Sequence, residues 1–260
     1  MLCRNIIEKI EATYPRHAAL DWDNVGLMVG RSEKNVEKIY IALDATEEVI
    51  EEAVSFGADM LITHHPLLFS PVKKITDEDF IGKRVVKLLQ NDISYYAMHT
   101  NYDVLGMAEM AGTMLELTDA EVLEITDETA GQPVGIGRVG NLAQAMSIEA
   151  CCEFVKERYH LPNVKLFGDK DAVVKRIAIS PGSGKHMSAI AIRKGAQVLV
   201  TGDIDHHEGI DAVAQGLAVI DAGHYGLEYV FMDDIAGFLL SELEGVRVQT
   251  AKVAQPFTVL

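Results

Sequence analysis

Blocks of apolar and polar residues change period several times along this chain, and each change marks a predicted element. Leu2, Ile6, Ile7 and Ile10 recur at helical spacing, and Pro15 stops that first helix. The loop DWDNVGLMVG (21–30) follows, and then KIYIALD (38–44) reads as a buried strand. Thr46 is a natural N-cap for a helix over 47–56, whose acidic first turn (Glu47, Glu48) suits the helix dipole and whose end is marked by Gly57. The apolar run from Met60 to Thr63 predicts a second strand that ends directly at His64-His65-Pro66. A helix over 80–90 leads to a strand over 93–98, ending at His99, and an apolar helix rich in Met spans 105–117.

The glycine-dense stretch GQPVGIGRVG (131–140) predicts a turn-rich connection, and hence a boundary between a first domain, 1–130, and a second, 131–260. The C-terminal segment is then free to pack back on the first domain. After a helix over 147–160 the pattern runs strand 174–180, helix 186–194, strand 197–201, helix 207–215, strand 217–221 and a long helix over 226–243. Strands alternating with helices predict an α/β fold with largely parallel sheets, in which ligands gather at the carboxyl ends of the strands.

The second half repeats the first. Residues 38–65 align without gaps on 176–203, pairing Ile39 with Ile177, Gly57 with Gly195, Leu61 with Leu199 and Thr63 with Thr201. Downstream, YYAMHTNYD (95–103) matches IDAGHYGLE (220–228), which sets His99 and Asp103 over His224 and Glu228. The fold class expected is therefore two linked α/β domains of related topology, an internal pseudo-two-fold repeat.

Imidazole and carboxylate together suit divalent ions such as Zn²⁺, Mn²⁺ or Fe²⁺. His64, His65, His99, Asp203 and His224 all fall at strand ends, and His99-x3-Asp103 and His224-x3-Glu228 each set two donors one helical turn apart. If the pseudo-two-fold brings His64, His65, His99, Asp103, His224 and Glu228 to one cleft, they make a two-metal site. The bland alternative is a set of strand-end histidines hydrogen-bonded to neighbouring helices, which one copy would allow more easily than two matched copies. His206-His207 open a helix after Asp203, where they lie behind the site or face a substrate, or else simply form a solvated N-terminal turn; His17, His160 and His186 read as surface or packing residues. The loop SPGSGKH (180–186) fails the phosphate-loop template, though Gly182, Ser183 and Gly184 could offer N–H groups to an anion, or simply form a tight turn.

Composition narrows the partners. Lys+Arg 23 against Asp+Glu 39 leaves a net charge of −16 with no basic run, which disfavours nucleic-acid binding but not a small anionic substrate beside a metal. The three cysteines, Cys3, Cys151 and Cys152, are odd in number and lack zinc-ligand spacing, so they read as buried thiols of a reduced compartment. No apolar run approaches the ~20 residues of a membrane span, and a cytoplasmic protein is expected.

ITHHPLLF, MHTNYD, TGDIDHHE and DAGHYGLE, with WDNVGL near the start, resemble the Nif-three-like family, whose bacterial members are labelled GTP cyclohydrolase 1 type 2 homologues. The resemblance covers essentially the whole chain, in the short form without an inserted domain. It implies two linked α/β domains with a dinuclear metal centre between them and assembly as a toroidal homohexamer. Carried over by motif, the ligands of two divalent ions (Zn, Mn or Fe) would be His64, His65, Asp103, His224 and Glu228, one carboxylate bridging; His99 is then either a further ligand or a residue behind them.

Three functions follow as expectations. A metal-dependent hydrolase of a small polar or nucleotide-like substrate would use His99 or His207 as proton shuttle. A cyclohydrolase opening the ring of GTP would also need a carboxylate to read guanine, for which Asp21, Asp23 or Asp203 are at hand. A non-enzymatic metal-binding scaffold, metal-insertion factor or regulatory protein would need no open coordination position.

Overall fold

In the computed structural model, which describes residues 1–259, the chain forms two α/β units: residues 1–102 with 229–254, and residues 103–228 with the C-terminal residues from 255. The first unit opens with α1 (Cys3–Thr13), which buries Ile6 and Ile10. There follow β1 (Gly26–Val29), β2 (Lys38–Ala42), α2 (Glu47–Phe56), β3 (Met60–Thr63), α3 (Phe80–Gln90), β4 (Ser94–Ala97) and the single turn α4 (Thr100–Tyr102). The Thr46 side chain accepts the Val49 N–H at the start of α2, and Gly57, at φ 71°, ends that helix in the left-handed conformation glycine favours.

The second unit starts with a π-helical turn (Asp103–Met107) leading into α5 (Ala108–Met114). A long hairpin, β5 (Thr118–Thr129) and β6 (Gln132–Ser147), precedes α6 (Ile148–Arg158) and β7 (Lys165–Phe167). The alternating part is β8 (Val173–Ser183), α7 (Met187–Arg193), β9 (Val198–Gly202), α8 (His206–Ala214), β10 (Ala218–Asp221) and α9 (His224–Glu228). The chain then returns to the first unit as α10 (Phe231–Glu242) and β11 (Arg247–Thr250).

Each unit has one sheet. Their orders are β1-β4-β3-β2-β11 and β5-β6-β8-β9-β10-β7. The central strands β2, β3, β4 and β11 pair in parallel, as do β8, β9 and β10, while β1 and β7 are antiparallel edges. The sequence repeat is a repeat of register: Ile39 faces Met60 between β2 and β3, and the aligned Ile177 faces Val198 between β8 and β9. Strands buried on both faces are apolar throughout, Ile39, Ile41, Leu61 and Ile62 in one sheet and Ile177, Ile179, Leu199 and Val200 in the other.

Three expectations change. Residues 131–140 are not an interdomain connection, because β6 pairs with both β5 and β8 and so ties its two flanks into one sheet; the units divide after Tyr102 and after Glu228 instead of at residue 130. The helix expected over 105–117 starts earlier, as α4 and the π turn, and the one expected over 226–243 is split at Tyr229-Val230. Cys3, Cys151 and Cys152 are free and buried, and burial pushes the Cys151 thiol up to about 12. Among the described residues no helix is long and apolar enough to cross a membrane.

Candidate metal centre

A parallel strand that stops at its carboxyl end hands the next residues to the rim of the sheet. In the first unit β3 delivers His64 and His65 there, and β4 delivers His99 after Met98. Thr63 and Tyr95 shape the turn: the Tyr95 hydroxyl donates to the His65 carbonyl (3.0 Å) and accepts the Leu67 N–H (2.8 Å). The three imidazoles converge, with ring centroids 5.0 Å apart for His64 and His65, 5.2 Å for His64 and His99, and 5.6 Å for His65 and His99. Each can offer one nitrogen so that all three lie within 4.8 Å of one another, close enough for a single ion.

Their Nδ1 atoms are already committed. His64 Nδ1 donates to the Met98 carbonyl (3.0 Å), His65 Nδ1 to Asp44 (2.8 Å) and His99 Nδ1 to Asp23 (2.8 Å). A carbonyl or carboxylate only accepts, so Nδ1 carries the proton and Nε2 keeps the lone pair that a metal needs. Asp23 is itself held by the N–H (2.9 Å) and hydroxyl (2.6 Å) of Thr100. Burial raises its pKa, but the hydrogen bonds from His99 and Thr100 outweigh that and bring it down to about 2. A carboxylate enclosed in this way is not available to read guanine.

The second unit presents His224 and Glu228 on one face of α9, with His224 Nε2 2.9 Å from a Glu228 oxygen. His224 Nδ1 donates to Asp203 (2.7 Å), so Asp203 does for His224 what Asp44 does for His65. Burial pulls the His224 imidazole down, but Glu228 and then Asp203 more than offset it and hold its pKa up to about 9. An ion taking Nε2 therefore displaces a proton there. Asp103 heads the π turn, a distortion often found at functional sites, and can place a carboxylate oxygen within 4.8 Å of one from Glu228. Gly182 lets β8 pass beneath: a Cβ there would stand 2.3 Å from Glu228 Oε1.

The remaining residues fall outside. His206 and His207 meet edge to face on the exposed first turn of α8 (centroids 5.2 Å apart), a solvated helix start. The 182–184 loop is no anion cradle, because the Gly184 N–H bonds the Gly202 carbonyl (2.8 Å), the His186 N–H bonds Glu208 (2.7 Å), and Glu228 lies against Gly182. Sequence reasoning overlooked Asp44 and Asp221. Asp221, at the end of β10, accepts the Gly223 N–H (3.0 Å), pairs with Lys165 (2.6 Å) and so sets the turn that leads into His224. Each is an aspartate at or just beyond the end of a buried strand, but nothing along the chain names the group it holds.

Taken by class, this is an α/β protein of two related units, the first presenting three histidines and the second a histidine with two carboxylates, groups that could hold a metal ion. A family model described as Duf34/NIF3 (NGG1p interacting factor 3) matches residues 1–256, and the chain belongs to that family. It is 38% identical over 230 residues to the GTP cyclohydrolase 1 type 2 homolog of Clostridium perfringens, covering 88% of this chain and 87% of the relative. The homolog of the same name from Streptococcus pneumoniae is 32% identical over 245 residues, 92% of this chain and 90% of the relative. Among solved structures, a Bacillus cereus protein related to NIF3 superposes with a TM-score of 0.91 at 25% identity, covering 100% of this chain and 99% of that one. Reduced HcgD from Methanocaldococcus jannaschii does so with a TM-score of 0.84 at 33% identity, covering 96% and 97%.

Proposed function

We propose that His64, His65, Asp103, His224 and Glu228 together hold two divalent ions and that the protein is a metal-dependent hydrolase of a small polar or nucleotide-like substrate. The observation that carries this reading is the commitment of Nδ1 to an oxygen acceptor at every one of the histidines in question, the arrangement that orients a metal-ligating imidazole. When bound, ions of this kind lower the pKa of a coordinated water and stabilise charge at the attacked centre.

His99 has a different task from the ligands. Its Nε2 accepts a proton from the attacking water, and Asp23 on Nδ1 holds the imidazolium that results, the division of labour of a histidine–aspartate pair. Glu228 is nearly enclosed and therefore suited to hold its carboxylate between donors. The reading extends to a homohexamer, which the family resemblance supports and light scattering tests; a monomer in solution would remove that part.

Protein stripped of metal and reloaded with Mn²⁺ or Zn²⁺ is assayed on phosphoesters, amides and purine nucleotides. The name borne by the bacterial relatives puts GTP ring opening in that panel, with formate release as its readout. Elemental analysis of His64→Ala and Glu228→Ala should show one or both ions lost. Unchanged metal content in both variants would refute the ligand set, and inactivity of every loaded form would leave a metal-binding protein without catalysis.

A further inference from the structure

Large aromatic side chains are normally withdrawn from water, yet in the first unit Trp22 is 58% and Phe69 52% exposed. Their centroids lie 5.8 Å apart, and the Trp22 ring stands edge-on to His99 at 6.0 Å. Neither loop is loose. Next to Trp22, Asp23 is bonded to His99 and Thr100, and the Leu20 N–H bonds the Thr100 hydroxyl (2.9 Å). Beside Phe69, the Leu67 N–H bonds the Tyr95 hydroxyl (2.8 Å), and the Asn24 side chain donates to the Leu68 carbonyl (2.5 Å), tying one loop to the other.

Between the loops lies an open groove of about 430 Å³, walled mainly by Trp22, Leu68, Phe69 and Val72, with Asp23, Asn24 and Ser70 as its polar members. A rigid, exposed aromatic platform with few polar groups suits a flat ring, because stacking rewards any π-face and the ordered loops lose little freedom on binding. The chain carries −16 overall, but Lys73-Lys74, both exposed, follow Val72 directly and put positive charge next in sequence to the groove's lining.

We propose that the groove binds the base of a mononucleotide, stacked on Trp22 and backed by Phe69, with its phosphate toward Lys73-Lys74. The bound ring lies beside His99. This names the substrate class of the proposed hydrolase and rests on that reading for the purpose of binding, though the stacking itself needs no metal.

Trp22 is the one tryptophan of the chain, so tryptophan emission reports the platform directly. Metal-free protein is titrated with GMP, AMP, ribose 5-phosphate and inorganic phosphate. Saturable quenching by both nucleotides, with neither sugar phosphate nor phosphate matching it, is the expected result. Phe69→Ala should weaken nucleotide binding by about tenfold, the scale of losing one stacking ring, and Phe69→Leu by less. Changing Lys73 and Lys74 to Ala should weaken GMP and leave guanosine unaffected.

Absence of quenching, equal quenching by ribose 5-phosphate, or unchanged affinity in Phe69→Ala would overturn the proposal. So would emission that shifts on protein dilution while nucleotides have no effect, which would mean that a second copy covers the ring. The two readings fail separately. Quenching together with inactivity of every metal-loaded form keeps the groove and removes the hydrolase, whereas hydrolysis without quenching does the reverse.

Discussion

His64, His65, His99 and His224 share one constraint: Nδ1 is bound to an oxygen, which leaves Nε2 as the nitrogen for an ion. The acceptors differ, and that difference is testable. Replacing Asp44 by Ala frees the His65 ring to rotate and should lower metal affinity by about 10- to 100-fold, measured by competition with a chelator. Asp23 supplies a pH test. Its side chain is fully buried and its folded pKa is about 2 against an ordinary 3.8, so its contribution is complete above the unfolded value and is lost as the pH falls through the folded one. The shift corresponds to about 2 kcal/mol, which denaturant unfolding should show disappearing between about pH 5 and pH 2 in the wild type and absent in Asp23→Asn. The histidines themselves were legible because the repeat aligned them, but their carboxylate partners were not. Asp44 lies 21 positions from His65 and Asp23 lies 76 from His99, and no local pattern links residues so separated.

At the scale of elements, local signals worked where the element is stabilised locally. The cap at Thr46, the acidic first turn and the stop at Gly57 bounded α2, and the runs after them bounded β3 and α3. They misled at 131–140, where glycine was read as a chain breaker. In β6 glycine serves close approach instead: a Cβ on Gly135 would lie 1.9 Å from the Glu124 carbonyl across the hairpin. The same chemistry governs the end of β8 beneath α9. Gly182→Ala should cost roughly 1–2 kcal/mol through its positive φ and also displace Glu228, abolishing part of the metal uptake. Gly131→Ala is the control, since it has a similar φ of 74° and nothing within 4 Å; it should lose comparable stability and keep its metal. Equal metal content in the two variants would show that close packing at Gly182 has no part in holding Glu228.

For the whole molecule, metal bound by the native fold must stabilise it. Chelator-stripped protein should melt lower than reloaded protein, the difference reaching about 2.7 kcal/mol when free ion exceeds its Kd a hundredfold. A melting temperature indifferent to Mn²⁺ and Zn²⁺ would argue against a metal site in the folded state. The chain alone was enough for the α/β class, for the duplicated strand–helix–strand unit and for the histidines at its strand ends, because period, caps and repeats are properties of neighbours in sequence. Only the tertiary structure decided that the units divide after Tyr102 and Glu228, that β11 returns to pair with β2, and that Asp23, Asp44 and Asp203 hold the imidazoles. Those are choices among distant partners, settled by which pairings bury apolar strands while pairing their backbone N–H and C=O groups, a condition of the folded chain as a whole.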